Sequence, residues 1–398
     1  MKALTIAVTA MFVVVLAGAL GLVAFVTIAS GAAGSATAAV TVSNPSDEAV
    51  ADIPALLLEL FINEAGQCPG LPWQVMAGIS KVESNHARHG GATIDLDGNV
   101  RPPIIGIALD GTNGTARIAD TDNGVWDGDS AWDRAVGPFQ FIPSSWRIFG
   151  ADVNTDGTAD PNNVFDAVAA MRRHLCPDGQ IVDIEAAIFA YNHSDEYVAL
   201  VLDWARRYTG PLASAAVAVA GYSLPVPAGI ADEAGLVRPH HDYPAWDAPA
   251  PVGTAVFAMV AGTVNLTHSG VYPVDPNRCG NTVTLAGVDG VSYTYCHLSA
   301  FAVIPGQVVG AGTLVGWTGG VPGTVGAGNT TGPHLHLGIR VGGVSVCPQP
   351  LLLAIARETP ISPAIAPSAG CVSGRAQTNW SGWLDQLALE PPTGGEHE

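Results

Sequence analysis

The sequence predicts a multidomain protein in which a mainly α-helical domain precedes a β-rich one, behind a hydrophobic N-terminal segment. Three observations predict it. Apolar residues recur on a helical period through the first half. The second half consists of short β-branched runs punctuated by Gly and Asp-Gly, the pattern of an all-β domain. Residues 5–29 form an almost uninterrupted apolar run, and about 20 helical residues suffice to cross a bilayer core. At 398 residues the chain is also longer than one ordinary core requires.

Lys2 precedes the apolar run and small residues fill 30–39. Residues 1–40 therefore read as a transmembrane anchor or, with Ala36-Thr37-Ala38 as the cleavage site, as a signal peptide. Both readings put everything that follows outside the cytoplasm, and an uncleaved helix would make the cytoplasmic membrane a partner. After a polar spacer at 45–51, the helical domain occupies 50–208, with helices expected over 54–65, 72–86, 164–175 and 184–207. Between them, 89–133 is rich in Gly, Asp and Asn and predicts a long set of loops. Residues 209–221 read as an Ala-rich linker, too short in its apolar run to span a membrane. The β-rich domain, 222–356, has expected strands over 254–264, 282–285, 291–295 and 334–341. Pro, Ser and Gly dominate 357–398, which predicts a poorly ordered tail apart from whatever Cys371 ties down.

A formal charge of -19 argues against nucleic acid as a partner, because phosphate binding needs clustered Lys and Arg. Six cysteines in an exported chain read as disulfides. Their grouping suggests the pairs Cys68 with Cys176, Cys279 with Cys296, and Cys347 with Cys371. A hairpin turning at Asp289-Gly290 would set Cys296 opposite Val283, so its pairing with Cys279 requires the segment around Pro276 to fold back. The alternative is a free, buried Cys296 thiol.

The sharpest chemical signal is Thr331-Gly332-Pro333-His334-Leu335-His336-Leu337-Gly338. Side chains two apart on a strand share a face, so both imidazoles would look into one site. Tyr295-Cys296-His297-Leu298-Ser299 adds a third histidine at a strand end, and His241-Asp242-Tyr243-Pro244-Ala245-Trp246-Asp247 adds a His and Asp pair. A catalytic zinc takes three protein ligands and leaves a fourth position for water.

With these segments in order, residues 222–356 resemble the M23 family of lysostaphin-like zinc peptidases, which cut peptide cross-links of peptidoglycan. The resemblance implies that His241, Asp247 and His336 bind zinc, and that His297 and His334 serve as catalytic groups beside the water. In one respect the sequence departs from the family, which spaces its first His and Asp by three residues. Here five lie between His241 and Asp247, and His240 competes as the first ligand.

In the helical domain Val82-Glu83-Ser84-Asn85, Gly137-Pro138-Phe139-Gln140-Phe141-Ile142-Pro143 and Ala190-Tyr191-Asn192 resemble the lytic transglycosylases of the lysozyme-like superfamily. That resemblance implies Glu83 as the catalytic acid, with Gln140, Tyr191 and Asn192 lining a sugar groove. A glycosidic bond needs a carboxylic acid kept protonated by apolar surroundings. Hydrolases normally add a second carboxylate, whereas a transglycosylase lets the muramyl 6-hydroxyl attack, and both outcomes stay open. Asp152, Asn154, Asp156, Gly157 and Asp160 follow the first part of a calcium loop, but position 12 is Asn163 rather than Glu. A weak Ca2+ site and a metal-free Asx-rich turn are both compatible with that pattern.

Together the motifs predict a bifunctional enzyme of the cell wall, with peptidoglycan as its substrate and zinc as its cofactor. The rival expectation is a peptidoglycan-binding adaptor of a conjugation or division apparatus, without catalysis.

Overall fold

The computed structural model describes residues 42–112, 114–213, 218–268, 278–324 and 326–389. The expected anchor or signal segment, 1–40, and the stretch around Pro276 lie outside the described residues. Among the described residues no helix is long and apolar enough to cross a membrane.

The helical domain opens with β1 (Val42–Pro45), α1 (Asp47–Asp52), α2 (Ala55–Gly66) and α3 (Trp73–Ser84). Loops with four short strands follow: β2 (Thr93–Ile94), β3 (Val100–Arg101), β4 (Ile105–Ala108) and β5 (Arg134–Val136). The domain closes with α4 (Pro143–Phe149), α5 (Val164–Leu175), α6 (Ile184–Tyr191) and α7 (Asp195–Tyr208). The single helix expected over 184–207 is two. Asn192 leaves the helical region at φ -141°, and Ser194 restarts it by accepting the Tyr197 N–H, the ordinary use of Ser as an N-cap. The expected linker begins as strand β6 (Thr209–Ala213), which pairs antiparallel with β1.

The β-rich domain contains α8 (Glu233–Leu236), β7 (Trp246–Ala248), β8 (Ala255–Phe257), β9 (Gly262–His268), β10 (Thr282–Gly287), β11 (Val291–Cys296) and β12 (Leu298–Phe301). It continues through β13 (Val308–Val309), β14 (Leu314–Thr318), β15 (Leu335–Val341), β16 (Val344–Val346) and α9 (Gln349–Ala356). One antiparallel sheet runs β13-β9-β10-β11-β15-β16, with β7 also on β15, and a smaller one runs β12-β14-β8. Their core holds Trp246, Tyr293, Tyr295, Leu335, Leu337 and Ile339. All three expected disulfides are formed. The β10-β11 hairpin pairs Val283 with Tyr295, one residue off the register expected, because its loop holds three residues, 288–290, rather than two.

The two domains share apolar contacts: Val252 and Ala300 of the β-rich domain belong to the helical core. Gly253, at φ +82°, has no room for a side chain, since a Cβ there would lie 2.6 Å from Ile62 Cδ1. Cys371 ties the tail down, as the sequence allowed, and the described order extends beyond it to residue 389. Cys347–Cys371 draws the chain back, Cys371, Val372 and Trp380 bury beside Leu353, and α10 (Trp380–Leu389) follows. The cross-link closes a loop of sequence separation 24, so the double substitution Cys347→Ser/Cys371→Ser should lower stability by about 3 kcal/mol in denaturant unfolding. An unchanged midpoint would mean that apolar contacts alone hold the tail.

Candidate functional site

Strand register builds the first site. His336 on β15 lies opposite both Asp247 on β7 and Cys296 on β11, and opposed residues project from one face of a sheet. Leu335, Leu337 and Ile339 point into the core, so His334 and His336 turn to the other face. His297 follows Cys296 with φ 59°, and its ring centroid lies 4.6 Å from that of His334 and 5.9 Å from that of His336. The remaining histidines precede β7. His240 is fixed through its backbone, donating to the Cys371 carbonyl at 2.9 Å and accepting from Ser373 N–H at 2.7 Å.

Asp247 is the hub of the group. Its Oδ1 lies 2.8 Å from His336 Nδ1 and 3.7 Å from His334 Nε2, and its Oδ2 lies 3.6 Å from His240 Nε2 and 4.0 Å from His241 Nδ1. Burial works to raise its pKa, but the His336 hydrogen bond and the surrounding imidazoles outweigh it and hold Asp247 below the usual Asp value. Burial likewise holds His240 below the usual histidine range. It pushes His297 down to about 4, with His334 adding to the effect. Both rings are therefore neutral at pH 7, the form a ligand or a base requires.

Backbone carbonyls orient three of these rings. The shortest contact of His240 Nδ1 is to the Tyr243 carbonyl at 2.9 Å, His297 Nδ1 lies 2.7 Å from the Ala327 carbonyl, and His334 Nδ1 lies 2.8 Å from that of Gly332. A carbonyl only accepts, so Nδ1 of His297 and of His334 carries the proton and their Nε2 atoms keep the lone pair, whereas His240 Nδ1 also faces the Asp242 and Tyr243 N–H groups at 3.3 and 3.4 Å. Metal-ligating histidines are oriented in this way.

A tetrahedral zinc with donors at 2.0–2.2 Å requires those donors to stand roughly 3.3–3.6 Å apart; the His240–Asp247 spacing of 3.6 Å meets that, while His336 Nδ1 stands closer to Asp247, at 2.8 Å, as a hydrogen bond. His240, His241 and Asp247 form a group able to hold an ion. Between the two histidines the geometry favours His240 over the expected His241. The His240 side chain is 2% exposed, whereas that of His241 is 65% exposed and sets its Nε2 3.2 Å from Asp242. A cavity of about 650 Å3 opens over the group, lined in addition by Tyr243, Arg278 and Thr330.

The second site lies at the end of α3. Glu83 Oε1 accepts from the Tyr197 hydroxyl at 2.6 Å, Ser84 Oγ donates to the Pro138 carbonyl at 2.6 Å, and Tyr191 Oη donates to the Phe139 carbonyl at 2.8 Å. Three distant stretches thus meet around one carboxyl. Burial raises the Glu83 pKa to about 7, against the opposing pull of Tyr197. Gln140 sits at φ 53° with its Nε2 donating to the Gly137 carbonyl at 2.8 Å, and Asn192 is exposed. Tyr191 and Gln140 therefore brace the 137–143 turn. Gly137 is required there, since a Cβ would lie 1.9 Å from the Pro161 carbonyl oxygen.

In the loop with the calcium-like pattern, Asp152, Asn154, Asp156 and Asp160 accept from backbone amides of their own loop. These are Asx-turn bonds, which account for its order without an ion. Sequence reasoning missed Tyr197, which reads only as an aromatic on an amphipathic helix, and Tyr243, whose hydroxyl lies 3.1 Å from His336 Nε2.

Residues 241–348 match the model of Peptidase family M23. The DD-carboxypeptidase/endopeptidase Mpg of Neisseria meningitidis and its counterpart in Neisseria gonorrhoeae are each 36% identical over 115 residues, covering 29% of this chain and 23% of the relative. The chain thus spans about a quarter of these curated relatives. Among solved structures, the catalytic domain of lysostaphin from Staphylococcus simulans is 27% identical over 29% of this chain and 88% of its own, with a TM-score of 0.24. A zinc-containing peptidase from Vibrio cholerae is 26% identical over 26% of this chain and 28% of its own, with a TM-score of 0.22. On this match, residues 241–348, within the β-rich half of the chain, are similar to Peptidase family M23.

Proposed function

We propose that this protein is a bifunctional cell-wall enzyme, whose M23 domain cleaves peptide cross-links of peptidoglycan with zinc and whose helical domain, of lysozyme-like type, cleaves the glycan strands. The observation that carries the reading is the set of imidazoles from separate segments gathered on the Asp247 carboxylate. The Neisseria relatives are named for carboxypeptidase and endopeptidase activity, which fits a peptide substrate here. Three disulfides suit action outside the cytoplasm.

In this reading His240, Asp247 and His336 hold the ion. Zinc, when bound there, supplies Lewis-acid activation of water and of a peptide carbonyl. The chain's own residues do the rest. His297 and His334, each with a lone pair on Nε2, take the proton released on attack and return it to the leaving amine. The carbonyls of Ala327 and Gly332 keep those rings in the required tautomer.

Glu83 is the acid of the second site. With its pKa near 7, a substantial fraction stays protonated at neutral pH and can donate to the glycosidic oxygen. The same carboxylate then accepts the proton of the attacking hydroxyl, so one residue serves both half-steps.

Purified peptidoglycan digested by the protein and analysed by mass spectrometry should yield products of both cuts. His336→Ala or a zinc chelator should abolish cross-link cleavage and spare glycan cleavage, and Glu83→Ala should do the reverse, each by at least 100-fold. Cross-link products that persist with His336→Ala would remove the peptidase reading, and anhydro-muropeptides that persist with Glu83→Ala would remove the glycan one.

Glu83 also makes a pH prediction. Its pKa is raised from 4.5 to about 7 on folding, so its favourable contribution is complete below pH 4.5 and is lost as pH rises through 7. Glu83→Gln should therefore gain on the wild type by roughly 2–3 kcal/mol between pH 4.5 and 8 in denaturant unfolding. A pH-independent difference would mean that Glu83 titrates as an ordinary surface acid.

A further inference from the structure

Glu59 stands out among the buried charges. It lies on α2 in the run Leu57-Leu58-Glu59-Leu60-Phe61, is 1% exposed, and belongs to the helical domain. Its hydrogen-bond partners belong to the other domain. Oε2 accepts from Val321 N–H at 2.9 Å, and Oε1 accepts from the Thr324 hydroxyl at 2.8 Å and from Gly320 N–H at 3.4 Å. Burying a carboxylate costs several kcal/mol unless its oxygens are bonded. Here the turn at 319–324 supplies those bonds.

The same turn supports the two histidines assigned above to proton transfer. Gly319 N–H donates to the His297 carbonyl at 2.7 Å, and the Gly319 carbonyl accepts from His334 N–H at 3.3 Å. Gly319 fits only without a side chain, since a Cβ would lie 2.7 Å from Glu59 Oε1. A second route leads to the His297 ring. The Thr324 carbonyl accepts from Ala327 N–H at 3.2 Å, and the Ala327 carbonyl faces His297 Nδ1 at 2.7 Å. The carboxylate of one domain is thus two or three hydrogen bonds from both histidines of the other, and reaches none of the residues proposed to hold the ion.

We propose that Glu59 is a positioning residue for the peptidase site, using the helical domain to fix the 319–324 turn and through it the backbones of His297 and His334 and the His297 tautomer. This rests on the zinc-peptidase reading. It makes the helical domain part of the peptidase machinery, beyond any glycan chemistry of its own.

The test compares the full chain with its Glu59→Ala, Glu59→Gln and Thr324→Val variants by steady-state cross-link cleavage, zinc content and hydrogen exchange of the 316–336 stretch. Glu59→Ala should lower kcat at least tenfold with KM within about threefold, keep one zinc per chain, and raise exchange at 319–334. Glu59→Gln retains an acceptor for Thr324 and should fall between that variant and the wild type. If Glu59→Ala does not fold, Glu59→Gln and Thr324→Val carry the test and should each lower kcat severalfold with zinc retained; Thr324→Val also removes the 2.9 Å contact of its hydroxyl with the Val321 carbonyl. Unchanged kcat in folded variants would overturn the proposal, and so would loss of zinc in step with kcat, the mark of a general collapse. A wild-type chain without metal-dependent cleavage would overturn the peptidase reading and this role with it, whereas an active wild type beside an unaltered Glu59→Ala would overturn the role of Glu59 alone.

Discussion

The constraint on which the second half depends is the ionised carboxylate of Asp247, drawn into a partly enclosed site and ringed by imidazoles, of which burial holds His240 below the usual histidine range, as it does the nearby His297. An anion held in its charged form by a hydrogen bond and surrounding imidazoles is suited to a cation. The β-sheet exists locally to make that cluster. Pairing His336 with Asp247 in register, and Cys296 with His336 on the other side, brings three separate stretches to one face.

The two domains form one packed body rather than beads on a linker. Val252 and Ala300 complete the helical core, Gly253 admits Ile62, and Glu59 plugs the turn beside His297. The tail contributes too. Cys371 and Ser373 hold the His240 backbone from outside the matched family segment, and the Cys347–Cys371 bridge holds Cys371. Both sites are therefore assembled by long-range contacts.

The parts of this organisation that were legible in the sequence are those written in local patterns. Period-3.6 and period-2 patterning marked the order of the helical and β-rich halves and five of the ten described strands of the latter, β8 to β11 and β15, and the His334-Leu335-His336 spacing marked a shared face, because both follow from backbone geometry alone. The strings around Asp247 and Glu83 were visible locally, and the structure gathers imidazoles on Asp247 and buries Glu83. What stayed hidden depends on distant partners. His240 differs from His241 in burial, in the Tyr243 carbonyl behind its ring and in the backbone bonds to Cys371 and Ser373, and nothing within the neighbouring sequence encodes that. The split of 184–207 at Ser194 was within reach as an N-cap signal. The ordered tail was hidden by its own Pro, Ser and Gly content, because a disulfide and Trp380 outweigh composition.

X-ray absorption at the zinc edge on the purified chain, with and without Asp247→Ala, tests the central claim most directly. The account predicts one ion per chain with imidazole and carboxylate donors at about 2.0–2.2 Å, lost on removal of Asp247. No ion in the wild type, or an unaltered one in Asp247→Ala, would contradict it.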